Sequence, residues 1–265
     1  MNILILANRD LASNLALNLL LPRLQRHNLR VFLSSQVGKP GALPELKRLR
    51  FFELSLCNQL IFPHLPAPPQ RPGKYCSFSQ FDSMLNQPVA VMNQINSEQG
   101  LSQIRALKPD LILSIRYGGI LKDPLIAIPE YGVINLHSGL LPDFRGVMAT
   151  FWAMLKGEKE IGTTCHVIED GRIDTGGIIS TSRLTVEPDK SYLWHVLQLY
   201  PAGCELLVSA VQRIEQGQVL VSEPQPQGGQ YFSFPAREHL DAFSQRGLKL
   251  VDEEEVMEFL KQHYY

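Results

Sequence analysis

The stretch Gly132-Val-Ile-Asn-Leu-His-Ser-Gly-Leu-Leu-Pro-Asp-Phe-Arg-Gly146 constrains the fold most. Val133-Ile134-Asn135-Leu136 is an apolar run with the character of a buried strand, and it breaks into loop residues at Ser138-Gly139, Pro142 and Gly146. Side chains alternate along a strand, so Asn135 and His137 point to the same face. An amide and an imidazole make poor core material, because their hydrogen-bonding atoms are costly to bury unpaired. In open α/β sheets, ligands sit at the carboxyl ends of the strands. The stretch therefore reads as a strand that delivers two polar side chains to an active-site edge.

The rest of the chain supplies the layers around it. Asn2–Ala7 is a β-leaning apolar run, Leu15–Leu24 has apolar residues at helical spacing, and Leu29–Leu33 fits a second strand. This order predicts an α/β fold with a doubly wound, mostly parallel sheet. The first helix is expected to end at Pro22 or to fray beyond it. No Gly-x-Gly-x-x-Gly follows the first strand, so a dinucleotide fingerprint is absent. Ser13 and Asn14 stand at a helix N-terminus, where backbone N–H groups can hold an anion of the substrate; simple capping is the other reading. Farther on, the patterns predict a helix over 98–107, a strand over 109–115 ending in Arg116-Tyr-Gly-Gly119, and a helix over 147–155 with Met148, Trp152 and Met154 in the core. Strands follow over 162–168 and 178–186, then a long helix over 191–216 with Pro201 at a kink. Residues 36–95 are the least readable, and Phe62–Pro72, with five prolines, is expected to be an extended surface segment. The expected division is a catalytic domain over 1–220 and a small C-terminal extension over 221–265, with helical patterns over 237–245 and 253–263.

Bulk properties narrow the function classes. Lys plus Arg number 25 against 26 Asp plus Glu, so there is no net positive field to draw a nucleic acid. The four cysteines, Cys57, Cys76, Cys165 and Cys204, are widely spaced without a Cys-x-x-Cys pair, which argues against a zinc cluster or disulfide framework. No metal is expected. The N-terminus reads as a first strand and no run approaches membrane-spanning length, so a cytoplasmic protein with no membrane contact is expected.

Three motifs stand in order: Asn135-Leu136-His137, then Leu140-Leu141-Pro142 with Arg145-Gly146, then Asp174-Thr175-Gly176. In that combination the chain resembles the folate-dependent formyltransferase family, mainly between residues 100 and 180, and Ala12-Ser13-Asn14 echoes that family's phosphate-binding Gly-Ser-Asn. The resemblance implies a formyltransferase-like Rossmann variant, with N10-formyltetrahydrofolate as formyl donor and Asn135, His137 and Asp174 as catalytic residues. Formyl transfer to an amine passes through a tetrahedral oxyanion, for which the Asn135 amide and the His137 ring would supply donors. Asp174 would orient His137 and help relay the amine's proton to the leaving folate nitrogen.

It also implies that the pterin lies against Tyr117-Gly118-Gly119-Ile120-Leu121 and the Glu169–Ile173 loop with Asp170, where the glycines let a flat ring approach the backbone. Ser13 and Asn14 would bind the acceptor, and Arg145 would bind its carboxylate or phosphate; pinning its own loop is the other reading for Arg145. The expected acceptor is a small-molecule amine, a nucleotide-linked amino sugar first, and a homodimer is compatible with that. Hydroxyornithine, glycinamide ribonucleotide and hydrolysis of the formyl group remain alternatives, with a non-catalytic folate-binding protein last. His166, flanked by apolar residues, reads as structural. In the tail, Tyr231, Phe232 and Phe234 cannot all face one side of a strand, so at least one stays available to another surface.

Overall fold

Strand β1 (Asn2–Asn8) carries Ile3, Ile5 and Ala7 to one face of a sheet and Leu4 and Leu6 to the other, all at most 1% exposed. A strand buried on both faces needs a cover on each side, and the elements that follow supply it. The structure, a computed structural model, describes residues 1–35, 43–67 and 71–265. After β1 come α1 (Leu11–Leu24), β2 (Asn28–Ser34), α2 (Pro44–Arg50), β3 (Ala90–Val91), α3 (Glu98–Leu107), β4 (Leu111–Ile115) and α4 (Asp123–Ile126). The chain continues through β5 (Val133–His137), β6 (Phe144–Gly146), α5 (Ala149–Lys156), β7 (Glu160–Val167), β8 (Ile178–Thr185) and α6 (Tyr192–Glu215). It ends in β9 (Gln230–Phe232), α7 (Arg237–Gln245) and α8 (Glu253–Tyr264).

The seven-stranded sheet has the order β3-β2-β1-β4-β5-β7-β8, while β6 and β9 form a separate parallel pair. Strands β1 to β5 are parallel, and β7 runs antiparallel to both of its neighbours. This is the α/β, mostly parallel, doubly wound sheet that the strand–helix alternation predicts.

The two faces are unequal, and that inequality places the site. Ile3, Ile5, Val31, Leu113, Ile134 and Leu136 join one large core with side chains of α1, α5 and α6. The opposite positions, Leu4, Leu6, Phe32, Ile112 and Val133, join a smaller core with Ile104 of α3 and Leu125 of α4. On β4 and β5 the next positions of that second face are Ser114, Asn135 and His137, and these line a cavity instead. Where the apolar cover stops, the polar residues begin.

Three expectations change. Helix α1 starts at Leu11, because Asp10 caps it by accepting from the Ser13 N–H at 2.8 Å. Pro22 lies inside its last turn, and the helix runs two residues past it to Leu24. The Pro-rich segment keeps Pro63, His64, Pro66, Ala67 and Pro72 exposed, as expected of a surface segment, but it is anchored: Phe62 and Leu65 are buried, and Arg71 donates to the carbonyls of Pro66, Tyr75 and Tyr264. Pro68 and Pro69 lie outside the described residues. Residues 36–95, unreadable in sequence, contain α2, a widened π-type helix over Phe51–Ile61 and a turn of 3-10 helix over Phe78–Met84. Among the described residues no helix is long and apolar enough to cross a membrane.

Residues after 220 share the main core. Phe232, Leu240, Phe243, Val256, Leu260 and Tyr264 all belong to the large cluster, and the Tyr264 hydroxyl donates to Asn14 Oδ1 at 2.5 Å. Phe243 is 2% exposed and stacks on Phe151 of α5 with ring centroids 4.5 Å apart. Phe243→Ala is therefore expected to destabilise the whole fold by about 3–5 kcal/mol, read from the denaturation midpoint. A shift worth less than about 0.5 kcal/mol would mean that the extension only rests on the surface.

Candidate active site

At the carboxyl end of β5, Asn135 and His137 meet two groups from β7 and the loop after it. Strand β7 pairs with β5 so that Asn135 faces His166 and His137 faces Thr164. Cross-strand partners project to the same side, so both histidines reach one cleft. The Asn135 amide donates to His166 Nε2 at 3.0 Å, since His166 Nδ1–H is directed at the Val167 carbonyl at 2.9 Å. Thr164 Oγ1 donates to the Gly139 carbonyl and accepts from the Leu141 N–H, which ties down the loop leaving His137.

Asp174 closes the cluster. Its Oδ2 lies 3.5 Å from His137 Nδ1 and accepts from the Gly146 N–H at 2.9 Å, while Oδ1 lies 3.5 Å from His166 Nε2. Its backbone is left-handed, at φ 54°, and its carbonyl accepts from the Gln225 side-chain amide at 2.9 Å. Gly146, at φ 97°, has no room for a side chain, because a Cβ there would meet the Phe232 carbonyl oxygen at 2.1 Å. Burial alone would raise the Asp174 pKa. The charge of His137 beside it and the hydrogen bond from the Gly146 N–H outweigh it and hold the carboxyl at about 2.

This cluster opens into a cavity of about 460 Å³, a volume suited to a small molecule. One half is lined by Tyr117, Gly118, Gly119, Ile120 and Leu121, facing Val167–Asp170 and Arg172–Gly176. The first of these loops is pinned from outside: the Gly118 N–H donates to Ser34 Oγ and the Asn96 amide donates to the Ile120 carbonyl. Ile120 is left 54% exposed. Asp170 lines the cavity but already pairs with Arg172 of its own loop at 2.7 Å.

The other half holds Asn8, Asp10, Glu53, Arg116 and Tyr192, rimmed by Leu46, Leu49, Tyr231 and Phe234. Arg116 Nε donates to Asp10 Oδ2 at 2.9 Å and its Nη2 lies 3.5 Å from Glu53 Oε1. Among the described residues no group of three or more His, Cys, Asp or Glu is placed to hold a metal ion.

The sequence-predicted residues divide. Asn135, His137 and Asp174 converge, and Tyr117, Gly119, Ile120, Leu121 and Asp170 line one cleft with them. Ser13 and Asn14 do not join them; both are fully buried. Ser13 Oγ accepts from the Asn8 N–H and Asn14 Oδ1 from Tyr264, so the substrate-binding expectation for this pair is corrected. Arg145 is also corrected: it is absent from the cavity wall and turns toward the Gly229 carbonyl of the tail, 3.5 Å away. His166 moves the other way, from structural residue to a member of the cluster. Its alternation with Thr164 was visible in sequence, but the strand register that sets it opposite Asn135 was not. His137 also differs from expectation, since its Nε2 donates to the Phe144 carbonyl at 2.7 Å. The open donor in the cleft is thus the second Asn135 amide N–H.

The depressed Asp174 pKa carries a stability consequence. Ionised Asp174 contributes above its ordinary pKa of 3.8, and the contribution is lost as pH falls toward about 2. Asp174→Asn should therefore be less stable than the parent at neutral pH, by at most about 2 kcal/mol. That gap should close as denaturation is followed down through this acid window. A gap that does not change with pH would show that the carboxylate is not charge-paired in the fold.

Comparison with known proteins gives this site its context. Residues 69–199 match a family model described as formyl transferase. The methionyl-tRNA formyltransferase of Caldanaerobacter subterraneus subsp. tengcongensis is 30% identical over 212 residues, covering 77% of this chain and 67% of that one. The methionyl-tRNA formyltransferase of Synechococcus sp. is 36% identical over 119 residues, covering 45% of this chain but only 37% of the relative. In fold, the chain is similar to an N-formyltransferase from Helicobacter canadensis solved with folinic acid and dTDP-3-aminofucose (TM-score 0.58, 17% identity, covering 90% of this chain and 72% of that one). It is equally similar to glycinamide ribonucleotide transformylase 1 from Symbiobacterium toebii (TM-score 0.58, 16% identity, covering 85% and 93%). The matched span contains β5, both histidines and Asp174, and the chain belongs to the formyl transferase family.

Proposed function

We propose that this chain is an N-formyltransferase that moves a formyl group from N10-formyltetrahydrofolate to the amine of a small acceptor, a nucleotide-linked amino sugar. The observation that carries the reading is the convergence of Asn135, His137 and Asp174 at the end of β5, on the wall of one cavity. A donor and an acceptor held together in that cavity would meet at this cluster. The Tyr117–Leu121 and Glu169–Ile173 loops both line the cavity, and Gly118, Gly119, Ile120 and Leu121 offer close apolar contact, which supports a flat pterin ring there. The folinic acid bound by the Helicobacter canadensis protein is in keeping with such a donor.

The chemistry follows from the contacts. The acceptor nitrogen attacks the formyl carbon, and the carbonyl oxygen becomes an oxyanion. Asn135, fixed by His166, turns its free N–H toward that oxygen at little reorganisation cost. His137 enters by exchanging the Phe144 carbonyl for a reacting group, as catalytic hydrogen bonds commonly do when substrate arrives. Asp174 stabilises positive charge on the ring while the proton passes from the attacking amine toward the leaving folate nitrogen.

The curated relatives favour a second acceptor, methionyl-tRNA, since that is what the matching sequences are named for. Against it stand a net charge of −1 and an acceptor half carrying Asp10 and Glu53, which offer little to a phosphate backbone. The test is an assay with N10-formyltetrahydrofolate and a panel of amino-sugar nucleotides, glycinamide ribonucleotide, hydroxyornithine and methionyl-tRNA. Folate release without any amine is measured alongside. Formylation of an amino sugar in preference to the others is expected; preference for the tRNA, or release to water alone, would displace the reading.

Asn135→Ala and His137→Ala should each lower turnover by roughly a hundredfold or more, the scale for losing an oxyanion-site donor. Folinic acid affinity should change far less. Near-normal turnover in either variant would remove that residue from the mechanism.

A further inference from the structure

The acceptor half of the cavity contains a polar cluster that the formyl-transfer chemistry leaves unused. Arg116 follows β4, whose Ile115 pairs with Leu136 of β5 on one side and Ala7 of β1 on the other. Arg116 and Asn8 are therefore next in line with His137 along the carboxyl edge of the sheet. Adjacent strands lie about 4.7–4.9 Å apart, so the backbones of Arg116 and Asn8 stand roughly 5–10 Å from that of His137, within the span of one small molecule.

The members of the cluster are unequally satisfied. Asp10 is complete: its carboxylate accepts from the Asn8 amide, the Ser13 N–H and Arg116. Glu53 is not. Its one side-chain contact among the described residues is Arg116 Nη2 at 3.5 Å, the limit of a hydrogen bond. Tyr192 is 3% exposed and lines the same wall, and its hydroxyl has no hydrogen-bond partner among the described residues. A partly buried acid short of donors and a hydroxyl with no hydrogen-bond partner, both on the cavity wall, are open to a ligand group. Burial holds the Glu53 carboxyl up at about 7 in spite of Arg116, as expected of an acid short of donors.

The charges select the group. A phosphate does not fit, because the α1 N-terminus is already filled by the Asp10 carboxylate and Glu53 adds a second acid. An ammonium would satisfy Glu53 but would meet the Arg116 guanidinium, which Asp10 holds in place. A hydroxyl suits every neighbour: it donates to Glu53 and accepts from Tyr192 or Arg116. We propose that Glu53, Arg116 and Tyr192 form an acceptor-recognition subsite that takes a hydroxyl of an aminated polyol, beside the amine that receives the formyl group. The inference rests on the formyl-transfer reading and makes these residues specificity determinants within it.

The experiment compares the parent with Glu53→Gln and Tyr192→Phe, both of which keep the side-chain shape. N10-formyltetrahydrofolate is the donor, and the acceptors are dTDP-4-amino-4,6-dideoxyglucose and its 3-deoxy analogue. For the hydroxylated acceptor, Glu53→Gln should raise KM about tenfold, a loss of about 1.4 kcal/mol in binding, and the loss should fall on KM rather than kcat. Tyr192→Phe should act in the same direction. For the 3-deoxy acceptor the gap between parent and variants should shrink by most of that factor. Equal gaps for both acceptors, or none for either, would overturn the subsite. So would faster transfer to glycinamide ribonucleotide with competitive inhibition by inorganic phosphate, or faster transfer to hydroxyornithine; formyl transfer itself would then still stand. Titration with folinic acid isolates the underlying reading, since absence of both binding and transfer to any amine removes the two together.

Discussion

The Asp174 carboxylate is the group on which the site depends. A charge that is nearly buried must be compensated on every side, and its partners come from separate parts of the chain: His137 from β5, His166 from β7 and the Gly146 N–H from the strand after the Leu140–Pro142 loop. None of these partners can move without leaving the carboxylate short of a donor or of a neighbouring charge. The loop is further held at the Asp174 backbone, where Gln225 donates to the carbonyls of both Asp174 and Gly176. Left-handed, non-glycine backbone occurs among the described residues at Lys108, Arg116, Met148 and Asp174, and the last three line the cavity. Strain of that kind persists where the surroundings over-determine it.

The same requirement explains why the C-terminal residues are tied to this cluster. Gly146 can present its N–H to Asp174 only if its short strand is held straight, and β9 does this by pairing with it in parallel. The Val147 N–H donates to the Phe232 carbonyl at 2.9 Å, and Phe232 stacks between Phe144 and Trp152. Alternation along β9 then turns Tyr231 outward, 51% exposed, onto the cavity rim. One tail aromatic docks and its neighbour faces the cleft, as the period of a strand requires.

How much of this could be read beforehand depended on whether the signal was local. Val133–His137 was legible because three apolar positions and two polar ones at a spacing of two encode a strand and its face directly. The helix at Glu98–Leu107 was legible to the residue through its helical pattern. Ser13 and Asn14 misled because a helix N-terminus looks the same in sequence whether it meets solvent or lies under a tail. Here Tyr264, 250 residues away, covers Asn14. The π-type helix at Phe51–Ile61 carries no simple period, so Glu53 could not be placed on any wall.

The sequence by itself determined the layered α/β architecture, the strand that carries Asn135 and His137, and the carboxylate in the Asp-Thr-Gly turn. Each of these follows from residue spacing or from a motif within one short segment. Only the tertiary structure decided that His166 belongs with Asn135, that Asp10 fills the α1 N-terminus, that Arg145 faces the tail, and that Glu53 and Tyr192 share a wall with Arg116. Those pairings depend on strand register and on packing between distant segments. Both are set by burying the apolar faces of the whole chain at once, a condition that no local window contains.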